Sequence, residues 1–219
     1  MLAGPGAVDE RWYLALTQWR ADTGWLHPAA AVFSWWAGLA VLVAALVAVA
    51  GLAWRRQAGP GPWPAVATAG VTAVVATATV LVNSVLVAPA IGRDRPCERW
   101  PHAGALLECS THSMPSDHSL VAGILAAGLW ALSWRAGIAA ALVAGAVAAS
   151  RVYVGLHYPS DVLLGLVLGA GLGWYAVRVA RQPLAAWLAR CRRTDPRHQH
   201  PGPGDHRSGH PKPRALERR

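Results

Sequence analysis

The chain has 219 residues, of which 54% are hydrophobic and only 14% charged, and a formal net charge of +9. That balance excludes an ordinary soluble domain and places the chain in a membrane. Lys212 is the only lysine, so the positive charge is almost all arginine; basic residues beside a membrane span are accounted for by orientation and anionic lipid, with no need of nucleic acid as a partner.

Residues 1–28 precede the first long apolar run. Val8, Trp12, Leu16 and Trp19 share one helical face while Asp9, Arg11, Gln18 and Asp22 lie elsewhere, which predicts a short helix lying in the membrane interface. The segment does not combine a charged start, an apolar core and a small-residue cleavage site. No cleaved signal peptide is therefore expected, and the first span is expected to direct insertion.

Residues 29–182 read as a transmembrane domain. The uncharged runs Ala29 to Trp54 and Gly61 to Gly92 each exceed the roughly 20 residues that cross a hydrocarbon core. Three shorter runs, Ser119 to Trp134, Ala136 to Ser150 and Val162 to Val177, are long enough if their polar ends lie in the interface. The prediction is an all-α, polytopic membrane helix bundle of about five transmembrane helices behind the N-terminal interfacial helix. Trp25, Trp54, Trp63, Trp134 and Trp174 fall near the expected ends, where aromatic anchors belong. Small residues crowd Ala139 to Ala149 and Gly165 to Gly173, allowing close helix packing within one chain or in a homo-oligomer.

Residues 183–219 form a basic tail rich in Pro, Gly, His and Arg, with order expected to end after about Leu188. His198, His200, His206 and His210 are too irregularly spaced to predict a metal site. With five spans, Arg55 and Arg56, Arg135 and the tail share one side, which the positive-inside tendency makes cytoplasmic. The N-terminus, the loop from Arg93 to His118 and the turn from Arg151 to Asp161 then face outside the plasma membrane. Cys97 and Cys109 fall in that outer loop, where a disulfide would clamp it; two free buried thiols are the other reading.

Three polar clusters stand at the edges of apolar runs, and charge in such places is costly unless it has a task. They are Gly92-Arg93-Asp94-Arg95-Pro96, Met114-Pro115-Ser116-Asp117-His118, and Arg151 to Asp161, the last with His157 between them. Their order and spacing resemble the three-part signature of the type 2 phosphatidic acid phosphatase superfamily, over roughly Leu81 to Gly173. Within it the chain looks most like the small bacterial undecaprenyl-diphosphate phosphatases. The signature's first part often begins with a lysine seven residues before the arginine, where this chain has Ala88; Arg93 or Arg99 could supply that charge, or fewer phosphate oxygens are bound from that side. Asp117 stands where glycine is common.

His157 and Asp161 are four residues apart, with Pro159 suited to a helix's first turn, so the carboxylate can reach the imidazole, fix its tautomer and leave the other nitrogen to attack phosphorus. The catalytic set is thus His157 as nucleophile, Asp161 as its orienter and, as the resemblance also implies, His118 as general acid. The phosphate-binding set is Arg95, Arg151, Ser116 and Asp117, with Arg93 as a candidate third arginine, because guanidinium forks and helix N-termini suit oxyanions. The acidic residues are distributed one per cluster beside cations, so no metal or other cofactor is implied.

The function expected from the resemblance is hydrolysis of an isoprenoid lipid diphosphate to the monophosphate through a phosphohistidine, on the external face. A broader lipid phosphatase acting on phosphatidate or phosphatidylglycerol phosphate is a second reading. A non-catalytic membrane protein that binds lipid headgroups is a third, from another class, and vanadate-dependent haloperoxidase chemistry fits a compact membrane chain poorly.

Overall fold

The computed structural model describes residues 5–56, 63–110 and 112–193, and these are helices joined by turns and one long loop. Helix α1 (Pro5–Asp22) leads through a 3-10 turn into α2 (His27–Val32), a π-helical turn (Phe33–Ala37) and α3 (Gly38–Arg56). Helix α4 (Trp63–Val82) likewise continues through a π-helical turn (Asn83–Val87) into α5 (Ala88–Ile91), which Gly92 ends in the left-handed conformation at φ 63°. The loop that follows carries the short α6 (Pro96–Arg99), and α7 (Asp117–Leu132), α8 (Trp134–Tyr153) and α9 (Pro159–Arg193) complete the bundle.

Among the described residues, four stretches are long and apolar enough to cross a membrane: Gly24–Arg56, Ala65–Arg99, Trp134–Tyr153 and Pro159–Gln182. The shorter α7 lies at the centre of the bundle. Its residues are apolar on all sides, as a helix wrapped by others requires, and Leu120, Ala122, Ile124, Leu125 and Leu129 are all buried. Three of these, Ala122, Leu125 and Leu129, share a core with Leu42 and Leu46 of α3 and Val147 of α8.

Small residues bring α7 and α9 into backbone contact within this one chain. A Cβ on Gly169 would collide with the Leu120 carbonyl oxygen, one on Gly165 would lie 2.9 Å from the Ser116 oxygen, and one on Gly123 would lie 2.5 Å from the Leu166 oxygen. This close approach sets the first turn of α9 against the start of α7, where the Ser116 N–H donates to the Asp161 carbonyl at 3.2 Å. The start of α2, the end of α5, the end of α8 and the starts of α7 and α9 thereby meet at one end of the bundle.

Helix α1 packs on the bundle by its polar face and leaves its apolar face exposed. Its face bearing Asp9, Tyr13 and Arg20 is buried, with Tyr13 wholly inaccessible and packed edge-to-face on Tyr158 at 5.6 Å between ring centroids. Arg20 donates to the carbonyls of Tyr153 and Ala103, so α1 is fastened to the end of α8 and to the long loop. The face with Val8, Trp12, Leu16 and Trp19 instead borders an apolar groove of about 1150 Å³ shared with α2, α8 and α9. Burial of the polar face wins because the charged groups of Asp9 and Arg20 find protein partners there.

One compact unit runs from Met1 to Leu184. In the second unit, Ala185–Arg219, the described residues are helical through Arg193. The histidine-rich tail lies outside the described residues.

Candidate active site

His157 sits in the turn between α8 and α9. Gly155 takes φ 89° there, and the Leu156 N–H donates to the Arg151 carbonyl at 3.2 Å, so the chain reverses before Pro159 opens α9. The imidazole is 2% exposed. Its Nδ1 lies 2.8 Å from the Ser113 carbonyl, which can only accept, so Nδ1 carries the proton and Nε2 the lone pair. Burial, aided by the nearby charges of Arg95 and Arg151 and opposed by Asp161, pushes the ring's pKa down to about 4. The neutral, nucleophilic form is therefore the resident one.

Asp161 is wholly buried one turn into α9, but the orienting hydrogen bond on His157 comes from Ser113. The carboxylate stands 3.7 Å from Nδ1, beyond hydrogen-bonding distance, and accepts instead from Tyr158 N–H at 2.8 Å, from the Ser113 hydroxyl and from Arg93 Nη1 at 2.6 Å. It acts on the imidazole by its charge and by holding Ser113. Loop closure explains this: the Ser113 N–H donates to the Arg93 carbonyl at 2.8 Å, which draws residue 113 between the helix start and the histidine.

Above Nε2 the structure gathers anion-binding groups. Arg95 Nη1 lies 3.1 Å from Nε2 and 3.3 Å from the Leu156 carbonyl. Arg151 is 4% exposed, donates to the Ser34 hydroxyl at 3.2 Å, and keeps its Nε without a hydrogen-bond partner. The Ser116 hydroxyl is also buried without a partner; it makes no cap bond although Ser116 is the N-cap of α7. Buried donors of this kind are costly unless a ligand satisfies them. Both arginines act electrostatically on His157 and on His118, which places the two histidines around one cationic centre.

His118, in the first turn of α7, is held by its Nε2 at 3.0 Å from the Trp35 carbonyl, leaving Nδ1 for proton transfer. Trp35 and Ser34 both belong to the first π-helical turn. Such a turn spaces its hydrogen bonds one residue wider, so backbone carbonyls become available to side-chain donors, and here His118 and Arg151 take them. The second π-helical turn serves the same end: Asn83 donates to the Pro115 carbonyl at 3.1 Å and to Asp117 Oδ1 at 2.7 Å. The Asp117 carboxylate is thereby tied to Asn83, while its backbone N–H belongs to the opening turn of α7. Ser34, and Asn83 beside Ser84, are polar residues within uncharged apolar runs, a signal that could have marked them.

Arg93 is not brought to the phosphate-binding group. Its terminal nitrogens are engaged by Asp9, Asp161 and Ser160, and its guanidinium lies over the Tyr158 ring at 4.3 Å. Arg99 pairs with Glu10 at 3.2 Å on the surface. Ala88 itself is buried. Cys97 and Cys109 are joined by a disulfide that ties the loop between Arg95 and Ser113. Among the described residues no three His, Cys, Asp or Glu side chains form a group able to hold a metal.

A family model described as the PAP2 superfamily matches residues 65–184, more than half of the chain and all three polar clusters. Among curated proteins, an undecaprenyl-diphosphatase of Sulfolobus acidocaldarius is 38% identical over 72 residues, covering 31% of this chain and 34% of that protein. A lipid A 1-phosphatase of Rhizobium etli is 35% identical over 99 residues, covering 42% of this chain and 40% of that protein. The chain thus spans well under half the length of the curated relatives it matches. Among solved structures, a transmembrane PAP2 type phosphatidylglycerolphosphate phosphatase from Bacillus subtilis has the same fold, with a TM-score of 0.56 at 22% identity over 80% of this chain and 86% of that one.

Proposed function

Since the chain belongs to the PAP2 superfamily, we propose that it is a membrane lipid phosphatase that converts an isoprenoid lipid diphosphate to the monophosphate on the external face of the membrane. The observation that carries the chemistry is the His157 tautomer, with Nδ1–H given to the Ser113 carbonyl and the Nε2 lone pair beside Arg95. Nε2 attacks the terminal phosphorus. The N–P bond forms as the bridging P–O bond breaks, and the leaving lipid phosphate departs with the bonding electron pair and takes a proton from His118. His118 then removes a proton from water as that water attacks phosphorus, the N–P bond breaks, and phosphate and free His157 are regenerated. Arg95, Arg151, the Ser116 hydroxyl and the N–H groups that open α7 hold the phosphoryl oxygens as charge spreads over them.

The outward orientation is supported by Arg55, Arg56 and Arg135 at the end of the bundle away from the site, and by a disulfide in the loop at the site end. The isoprenoid diphosphate is supported by the name of one curated relative. Purified protein assayed on undecaprenyl diphosphate and on phosphatidate tests the choice: faster turnover of the diphosphate is expected. Preference for phosphatidate would transfer the assignment to a broader lipid phosphatase, and unchanged turnover in His157→Ala would leave only headgroup binding.

A further inference from the structure

We infer that Asp9, carried by the N-terminal helix, is a positioning residue of this site that acts on His157 through Arg93, Asp161 and Ser113. The inference rests on the reading of His157 as the nucleophile. Helix α1 lies outside the residues that match the family model, so this contribution is additional to the three clusters within it.

The contacts form a continuous chain. Asp9 Oδ2 pairs with Arg93 Nη2 at 2.5 Å, Arg93 Nη1 pairs with Asp161 Oδ1 at 2.6 Å, and the other oxygen of Asp161 takes the Ser113 hydroxyl. The Ser113 carbonyl then fixes Nδ1–H of His157. Asp9 also receives the Ser160 N–H at 3.0 Å and the Ser160 hydroxyl at 2.5 Å. It thus serves as an acceptor for the open N-terminus of α9, the turn that presents Asp161. None of this is solvent decoration, because the Asp9 side chain is 8% exposed and that of Asp161 0%.

The charges explain why the pairing matters to the reaction. Two carboxylates share one guanidinium, so Asp9, Arg93 and Asp161 together carry a net negative charge beneath an imidazole that becomes positive as Nε2 bonds to phosphorus. Without the Asp9 charge, Arg93 is committed to Asp161 alone and draws that carboxylate's influence away from Ser113 and His157. The loss falls on the transition state, in which the imidazole is charged, more than on substrate binding.

Full-length protein in lipid vesicles carries the test, with Asp9→Asn, Asp9→Glu, Ser160→Ala and Glu10→Gln assayed for kcat and KM on the substrate that the wild type turns over. Asp9→Asn is expected to lower kcat by about 10- to 100-fold with KM within about twofold, and Asp9→Glu to restore much of the loss. Glu10→Gln, which removes only the surface pair of the same helix with Arg99, is expected to match the wild type. If Asp9→Asn does not fold, Ser160→Ala keeps the backbone and loosens the same cluster, and a kcat about threefold or more below wild type is expected. Wild-type kcat in Asp9→Asn, or in Ser160→Ala where Asp9→Asn cannot be made, overturns the inference. So does a fall in kcat that tracks lost thermal stability and is not restored by Asp9→Glu. Inactive His157→Ala beside fully active Asp9→Asn overturns the Asp9 role alone, whereas active His157→Ala overturns both it and the proposed function.

Discussion

Arg95 Nη1 donates to Nε2 of His157 across 3.1 Å, so one guanidinium occupies the lone pair that is to attack phosphorus. An incoming phosphate must draw that guanidinium onto its own oxygens, and doing so releases the nucleophile. Arg95→Ala therefore loses transition-state charge stabilisation. Its kcat/KM is expected to fall about 100-fold or more, whereas a fall of less than about fivefold would show that Arg151 and the start of α7 suffice.

Asp117 acts on the charges of both Arg95 and Arg151 while held by Asn83. A fixed carboxylate there opposes an anionic ligand. Asp117→Asn keeps an acceptor for Asn83 and removes the charge, so inorganic phosphate is expected to inhibit about threefold or more tightly. Weaker inhibition would mean that the carboxylate supports the site.

The disulfide joins Cys97 to Cys109, 12 residues apart, within the loop whose ends carry Arg95 and Ser113 to His157. Cys97→Ser, or reductant applied to the wild type, is expected to lower stability by about 2–3 kcal/mol and to reduce turnover as Arg95 and Ser113 loosen. Denaturation and activity measured with and without reductant check both. Insensitivity of activity to reductant would separate the clamp from the chemistry.

His157 gives a pH dependence whose sign follows from its pKa of about 4 in the folded protein against about 6.5 in an unfolded chain. Between those values the unfolded state binds the proton and the folded state does not, so stability is fully present above about 6.5 and declines as pH falls toward about 4. Thermal midpoints recorded across that window are expected to fall less steeply in His157→Asn than in the wild type. Equal slopes would mean that the imidazole is not buried neutral.

Much of this site was legible in the sequence, because charge beside apolar runs has few explanations. Arg95, Arg151, His118, His157 and Asp161 do converge. What was hidden depends on the fold. Ser113 reaches His157 by a backbone carbonyl, which has no residue signature, and the π-helical turns that bring in Ser34, Trp35 and Asn83 leave no periodicity to read. The apolar stripe of helix α1 is visible in the sequence, but the long-range contacts of Asp9 with Arg93 and of Arg20 with Tyr153 and Ala103, which fasten its other face to the bundle, are not.

The central claim, covalent catalysis by His157, is tested most directly by trapping the intermediate. In His118→Ala an aryl phosphate, whose leaving group needs little protonation, can still phosphorylate the enzyme while water attack is slowed. Peptide mass spectrometry kept at alkaline pH is predicted to find phosphate on His157 in that variant and none when His157 is also replaced. Turnover by His157→Ala at the wild-type rate, with no phosphohistidine at this position, would contradict the account.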